Sequence, residues 1–245
     1  VWILVLLCFF SSMAVTNDVA LITFVPFTFT VLDLIGPEAR KRLTIPIVVL
    51  QTIAANLGSM LTPIGNPQNL YLYGKAGLSL GAFLLLLLPY ACVSFLLIML
   101  WSIVQSRAYN VPVEVSFREE IRLDRKKAQL AGYLVLFALD LLTVARVIPY
   151  GLALLLTIAG LLVLDRSIFA RGDYSLLLTF VGFFVFIGNM GRLPVFYEFL
   201  QKIVSGHELL AGAAASQVIS NVPAALLLSG FTEDFPPLII GVNLG

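Results

Sequence analysis

Charge is what this chain has least of. Only 12% of its 245 residues are Asp, Glu, Lys or Arg, about half the share of a soluble domain. Histidine occurs once, at His207, and cysteine twice, at Cys8 and Cys92. One histidine among isolated acids supplies neither a nucleophile–base pair nor a metal cluster, which argues against an enzyme and against any resident cofactor. The two cysteines lie in separate apolar runs without metal-ligand spacing, so they read as small buried hydrophobes rather than a disulfide. The net charge of +1 excludes a broad polyanion-binding surface, and with it nucleic acid as a partner. No basic segment with a cleavage site precedes the first apolar run, so no signal peptide is read. Both ends fall inside apolar runs, and the expectation is a fragment of a longer membrane protein.

What fills the chain is hydrophobic: 60% of residues, with a mean hydropathy of +0.99. A helix needs roughly 20 mainly apolar residues to cross the hydrocarbon core. Residues 78–104, 128–147, 150–164 and 174–190 read as spans, the third somewhat short. Residues 44–74 are too long for one plain span. Residues 1–30 and 208–231 are apolar but each carries a polar cluster near its middle, as a re-entrant hairpin would. Residues 193–204 have apolar positions at helical spacing and suit the membrane surface. The basic residues gather in "GPEARKR", in 105–127 and at Arg166 and Arg171, leaving only Lys75, Arg146, Arg192 and Lys202 elsewhere. With those three loops on the cytoplasmic side, the topology is self-consistent and the two hairpins enter from opposite faces. The expected organisation is a first-repeat portion over 1–104, a cytoplasmic linker over 105–127, and a second-repeat portion over 128–245 that stops within its broken helix.

Two segments repeat one device. "VTNDVALI" (15–22) and "ISNVPAAL" (219–226) each set a hydroxyl residue and an asparagine in an apolar run: Thr16-Asn17 and Ser220-Asn221. Each is followed downstream by Asn-Leu-Gly, at Asn56 to Gly58 and at Asn243 to Gly245. The repeated order points to an inverted-topology repeat. After the first copy comes "LTPIGNPQN" (61–69). Pro63 and Pro67 remove backbone donors; Gly58 and Gly65 permit close approach and unusual backbone. Thr62, Asn66, Gln68 and Asn69 supply neutral polar groups. At membrane depth a chain leaves its helix only where protein or water satisfies the freed groups, and transporters build binding sites from such breaks.

Other features have plainer readings. Asp18, an acid within the first polar cluster, is a functional candidate. Asp140 reads as structural or interhelical, since Arg146 is six residues away and off its helix face. "GLSLG" (77–81) matches G-x-S-x-G, but without strand–turn–helix context it fits helix packing better. "FVGFFVFIGNMG" (180–191) reads as dense helix packing.

At "TNDVALITFVPF", "AANLGSMLTPIGNPQN", "FVGFFVFIGNMG" and "SQVISNVPAALLLSGF" the chain resembles the ion transporter superfamily. That group holds divalent-anion/sodium symporters, citrate transporters, arsenite permeases and NhaD-type sodium/proton antiporters. The resemblance covers essentially the whole chain. It implies an all-α polytopic membrane protein with inverted-topology repeats, re-entrant hairpins and broken transmembrane helices, located in the cell membrane. It implies secondary transport of a small anion coupled to Na+ or H+, and a homodimer is compatible with it. Carried over by position, substrate contacts fall on Thr16, Asn17, Asp18, Thr62, Pro63, Asn66, Asn69, Ser220 and Asn221. Ion contacts fall on Asn17, Asn56, Gly58, Gly65, Asn221 and Asn243. Where dicarboxylate carriers have Ser-Asn-Thr at the hairpin tips, Asp18 and Val222 replace the threonine. That leaves arsenite-like or cation-exchanging members open, with a Na+/H+ antiporter as the near alternative. A non-transporting membrane subunit or receptor is the alternative from another class.

Overall fold

The computed structural model describes residues 2–107, 127–172 and 174–245. Among them there are helices and no strands, and three helices are long and apolar enough to cross a membrane. The protein is an all-α polytopic membrane protein. Its linker, expected over 105–127, falls almost wholly outside the described residues. The chain divides into two compact units, residues 1–115 with 182–245, and residues 116–181.

The first unit opens with α1 (Trp2–Val15) and α2 (Asn17–Ile35). They form a hairpin, because Leu4 near the start of one arm and Leu32 near the end of the other share one buried cluster with Leu43 and Ile47. α3 (Pro37–Ser59) lies along both arms. Its Ala54 and Ala55, with Leu50, meet Val5, Cys8 and Phe9 of α1 and Ile98 of α5 (Leu80–Arg107) in a second cluster. α3 begins earlier than the sequence suggests. The basic run expected as a loop forms its first turns, because Pro37 occupies the first helical position after Gly36 (φ 125), where the missing N–H does no harm. Asp33 and Arg40 pair across that corner. α4 (Pro67–Ala76) follows the break.

The same unit ends with α10 (Pro194–Val204), α11 (Glu208–Ile219), α12 (Asn221–Leu228) and α13 (Phe235–Leu244). α11 and α12 are the second hairpin: a Glu208 carboxylate oxygen at its start accepts from Thr232 Oγ1 just past its end at 2.9 Å. α10 turns 102° away from the apolar helix before it, and Phe196 meets Phe231 edge to face, with Tyr197 tilted against the same ring.

The second unit is built on α6 (Lys127–Val144), α7 (Tyr150–Leu164) and the short α8 (Ser167–Arg171); α9 (Tyr174–Met190) begins here and ends in the first unit. Gly132 receives Leu164 and Gly160 receives Leu136, which sets α6 and α7 antiparallel. Thr157 of α7 donates to Asp140 of α6 at 3.1 Å, so Asp140 is interhelical, as expected.

Candidate functional site

The first hairpin turns on one residue. Thr16 has φ 98 and ψ 151, a region that residues with a Cβ avoid at a cost of about 1–3 kcal/mol. The surroundings hold it there. Its Oγ1 accepts from Val19 N at 3.3 Å, capping α2. The next backbone N–H, of Asn17, donates to Gly65 O in the break at 3.0 Å. Asn17 Nδ2 donates to Asn56 Oδ1 at 2.9 Å, and Thr62 Oγ1 donates to Met13 O at 2.5 Å. Hairpin tip and break are therefore sewn together by Asn17, Asn56, Thr62 and Gly65.

The second hairpin repeats the geometry. Ser220 has φ 74 and ψ 158, again between two helices and again followed by asparagine. The match extends to packing. A Cβ on Gly58 would stand 2.1 Å from Phe9 O and 2.7 Å from Ser12 Oγ; Phe9 and Ser12 lie seven and four residues before Thr16. A Cβ on Gly245 would stand 2.4 Å from Ala213 O and 2.8 Å from Ser216 Cβ, seven and four residues before Ser220. Each Asn-Leu-Gly helix thus seats its glycine at the same point of its hairpin. A small residue one turn earlier, Ala54 or Gly241, extends each contact; a Cβ on Gly241 would stand 2.3 Å from Leu209 O. Close backbone packing of this kind holds helices together in lipid. Asn56 and Asn243 both also donate to the carbonyl four residues back, at 2.9 and 2.8 Å.

The break explains where its freed backbone groups go. Asn66 caps α4 by accepting from Asn69 N at 2.8 Å. Asn69 Nδ2 lies 2.9 Å from Met60 O, 3.2 Å from Thr62 O and 3.4 Å from Ser59 O, filling the gap with one amide. Asn69 Oδ1 accepts from Asn243 Nδ2 at 2.6 Å, and Asn66 Nδ2 donates to Asn243 Oδ1 at 3.2 Å. These three asparagines are buried, at 2%, 0% and 6% exposure for Asn66, Asn69 and Asn243. Their amides are engaged with one another and with the backbone. Pro63 and Gly65 are buried in the same break.

The remaining expected site residues stand apart from that network. Asp18 is exposed in the first turn of α2. The backbone bonds of Ser220 stay on its own hairpin, to Ser216 and Ala224, and Asn221 is half-buried beside it. Two buried polar atoms near the tips, Asn17 Oδ1 and Ser216 Oγ, have no hydrogen-bond partner. Neither Lys nor Arg occurs in α1, α2 or α11 to α13. Among the described residues no group of three His, Cys, Asp or Glu side chains stands together. The donors at the break are therefore amides, hydroxyls and backbone groups, and they suit a monovalent cation or a neutral or helix-end-bound anionic group.

The sequence reasoning missed Ser12 and Ser216. Their signal was present: each lies one turn before the hydroxyl residue of its tip. It also missed the Ala54–Gly58 and Gly241–Gly245 pairs, whose four-residue spacing marks a close helix contact.

Comparison with known proteins agrees with this architecture. No solved structure matches the chain. It is 29% identical to the uncharacterized transporter MJ0456 of Methanocaldococcus jannaschii over 99% of this chain and 64% of that protein. It is 30% identical to the inner membrane protein YbiR of Escherichia coli over 96% of this chain and 61% of that protein. The magnetosome protein MamN of Magnetospirillum gryphiswaldense is 25% identical over 94% of this chain and 60% of that protein. The chain thus spans about three-fifths of the length of the curated relatives it matches. The family model for citrate transporters matches residues 1–238, and the chain belongs to the citrate transporter family.

Proposed function

We propose that this chain forms the binding half of a secondary transporter that moves a small anion, a di- or tricarboxylate or an inorganic anion such as arsenite, coupled to Na+ or H+. The observation that carries the reading is the doubled tip: two hairpins with a strained hydroxyl residue and an asparagine, each seated on an Asn-Leu-Gly helix. Asn17, Asn221 and Thr62 orient the solute. The unpartnered Asn17 Oδ1 and the carbonyls around Asn56 to Gly58 take the coupling ion, and the amino ends of α2 and α12 face anionic groups. The two hairpins enter from opposite faces of the cell membrane, and one domain moves against a scaffold for alternating access.

A Na+/H+ antiporter is the second reading. Asp18 favours it, because the two hairpins and α13 bring no Lys or Arg to offset that acid. Uptake by the full-length protein in proteoliposomes tests both, using citrate, succinate, sulfate and arsenite under imposed Na+ or H+ gradients. Accumulation of one anion driven by one gradient supports the first reading, and alanine at Asn17 or Asn221 should then abolish uptake with expression intact. Absence of anion flux, together with Na+-driven proton movement that Asp18→Asn abolishes, supports the second.

A further inference from the structure

Lys75 is the sole charged residue between Arg42 and Arg107, and the proposed solute site leaves it unused. It lies in the last turn of α4. Its ammonium donates to the Ser229 carbonyl at 2.6 Å and to the Ser229 hydroxyl at 3.3 Å. The rings of Tyr71 and Phe235 lie 5.8 and 5.9 Å from Nζ, within cation–π range. Ser229 caps the carboxyl end of α12 and is 2% exposed. Its hydroxyl proton goes to Leu226 O at 3.0 Å, so the Tyr71 hydroxyl, 3.1 Å away, is the donor to Ser229 Oγ. A cation at the carbonyl end of a helix gains both a charged hydrogen bond and the helix dipole. α4 belongs to the first broken helix and α12 to the second hairpin. The other end of α4 is held to the second repeat as well, through the buried contacts of Asn66 and Asn69 with Asn243.

We propose that Lys75 is a positioning residue. It anchors the carboxyl end of α12 to α4 and, with the asparagine junction, keeps the second hairpin in register with the first broken helix through the whole transport cycle. Two ties at opposite ends of a ten-residue helix do not open by hinging, because opening the buried one strands amide groups. The inference rests on the transport reading. Loosening α12 adds ordering to the cost of binding solute, so the effect falls on KM.

The test uses the full-length protein in proteoliposomes. Lys75→Met should raise KM roughly 5-fold, the worth of one net hydrogen bond, with the maximal rate nearly kept; Lys75→Arg should restore most of the affinity. An unchanged KM for Lys75→Met, or a fall in maximal rate alone, overturns the proposal. If the wild-type protein moves no solute, the transport reading fails by itself, and hydrogen exchange still reads the anchor. Faster exchange at the end of α12 in Lys75→Met supports it, and unchanged exchange overturns it.

Discussion

Replacing Gly58 with alanine puts one methyl group where the hairpin and the broken helix touch backbone to backbone. The added carbon would lie 2.1 Å from Phe9 O, 2.9 Å from Phe9 C and 2.7 Å from Ser12 Oγ. Ordinary contact needs more than about 3.4 Å, so α1 must move away from α3 by more than an ångström. Overpacking of this kind costs about 1–3 kcal/mol. The shift also carries the tip away from its partners: the 2.9 Å contact of Asn17 with Asn56 and the 3.0 Å contact with Gly65 stretch beyond hydrogen-bonding range, at about 1 kcal/mol each. Alanine's better helix propensity returns about 1 kcal/mol. The net expectation is a loss of about 3 kcal/mol, together with loss of solute binding. Thermal unfolding in detergent with and without solute reads both effects. Gly81→Ala is the control, since no atom lies within 4 Å of its added carbon. A Gly58→Ala protein as stable and as competent as the Gly81→Ala protein would refute the packing argument and the matched seat of Gly245 with it.

Ser220 bears its strained backbone without a side-chain cap, whereas the hydroxyl of Thr16 also caps α2. Ser220→Gly should therefore raise stability by about 1 kcal/mol and Thr16→Gly by less; a fall in unfolding temperature for Ser220→Gly would show that the turn is not strained. Asn69→Ala removes the amide shared by three carbonyls and an acceptor for Asn243, and should cost about 3 kcal/mol; near-wild-type unfolding would mean water replaces it freely. Asp165, at the end of α7, is held below its ordinary value of 3.8 mainly by the Ser167 hydroxyl, then by the Ser167 backbone N–H, with Arg171 nearby. Since the folded value is the depressed one, its stabilisation is complete above pH of about 4 and is lost as pH falls through the folded value. The hydrogen-exchange protection factor at the α7–α8 corner, with the intrinsic pH dependence of amide exchange divided out, should fall on acidification in wild type and be flat in Asp165→Asn; identical pH profiles would count against this.

The sequence made the spans legible because a bilayer demands long apolar runs, and it made the break legible because Pro63, Gly65 and Pro67 cannot continue a helix. It misled at the start of α3. Arg40, Lys41 and Arg42 are at once a loop signal and good helix formers, and Pro37 at the first position decided for helix. The strain at Thr16 and Ser220 had no local signal, since it exists only because tertiary contacts on both sides of the turn over-determine it. Lys75 was readable as a charge near a membrane face, but its partner lies 154 residues away. Asn69 shows the limit most clearly. Its side chain looked like a ligand because amides in apolar surroundings need partners, and that requirement is met here by three carbonyls of the break itself. A polar residue in a membrane break has two ways to be satisfied, by cargo or by the broken backbone. Asn17 keeps a buried oxygen with no partner and Asn69 does not. Of the two, Asn17 has the hydrogen-bonding capacity left that the proposed function requires, and Asn69 belongs to the frame that holds the break open.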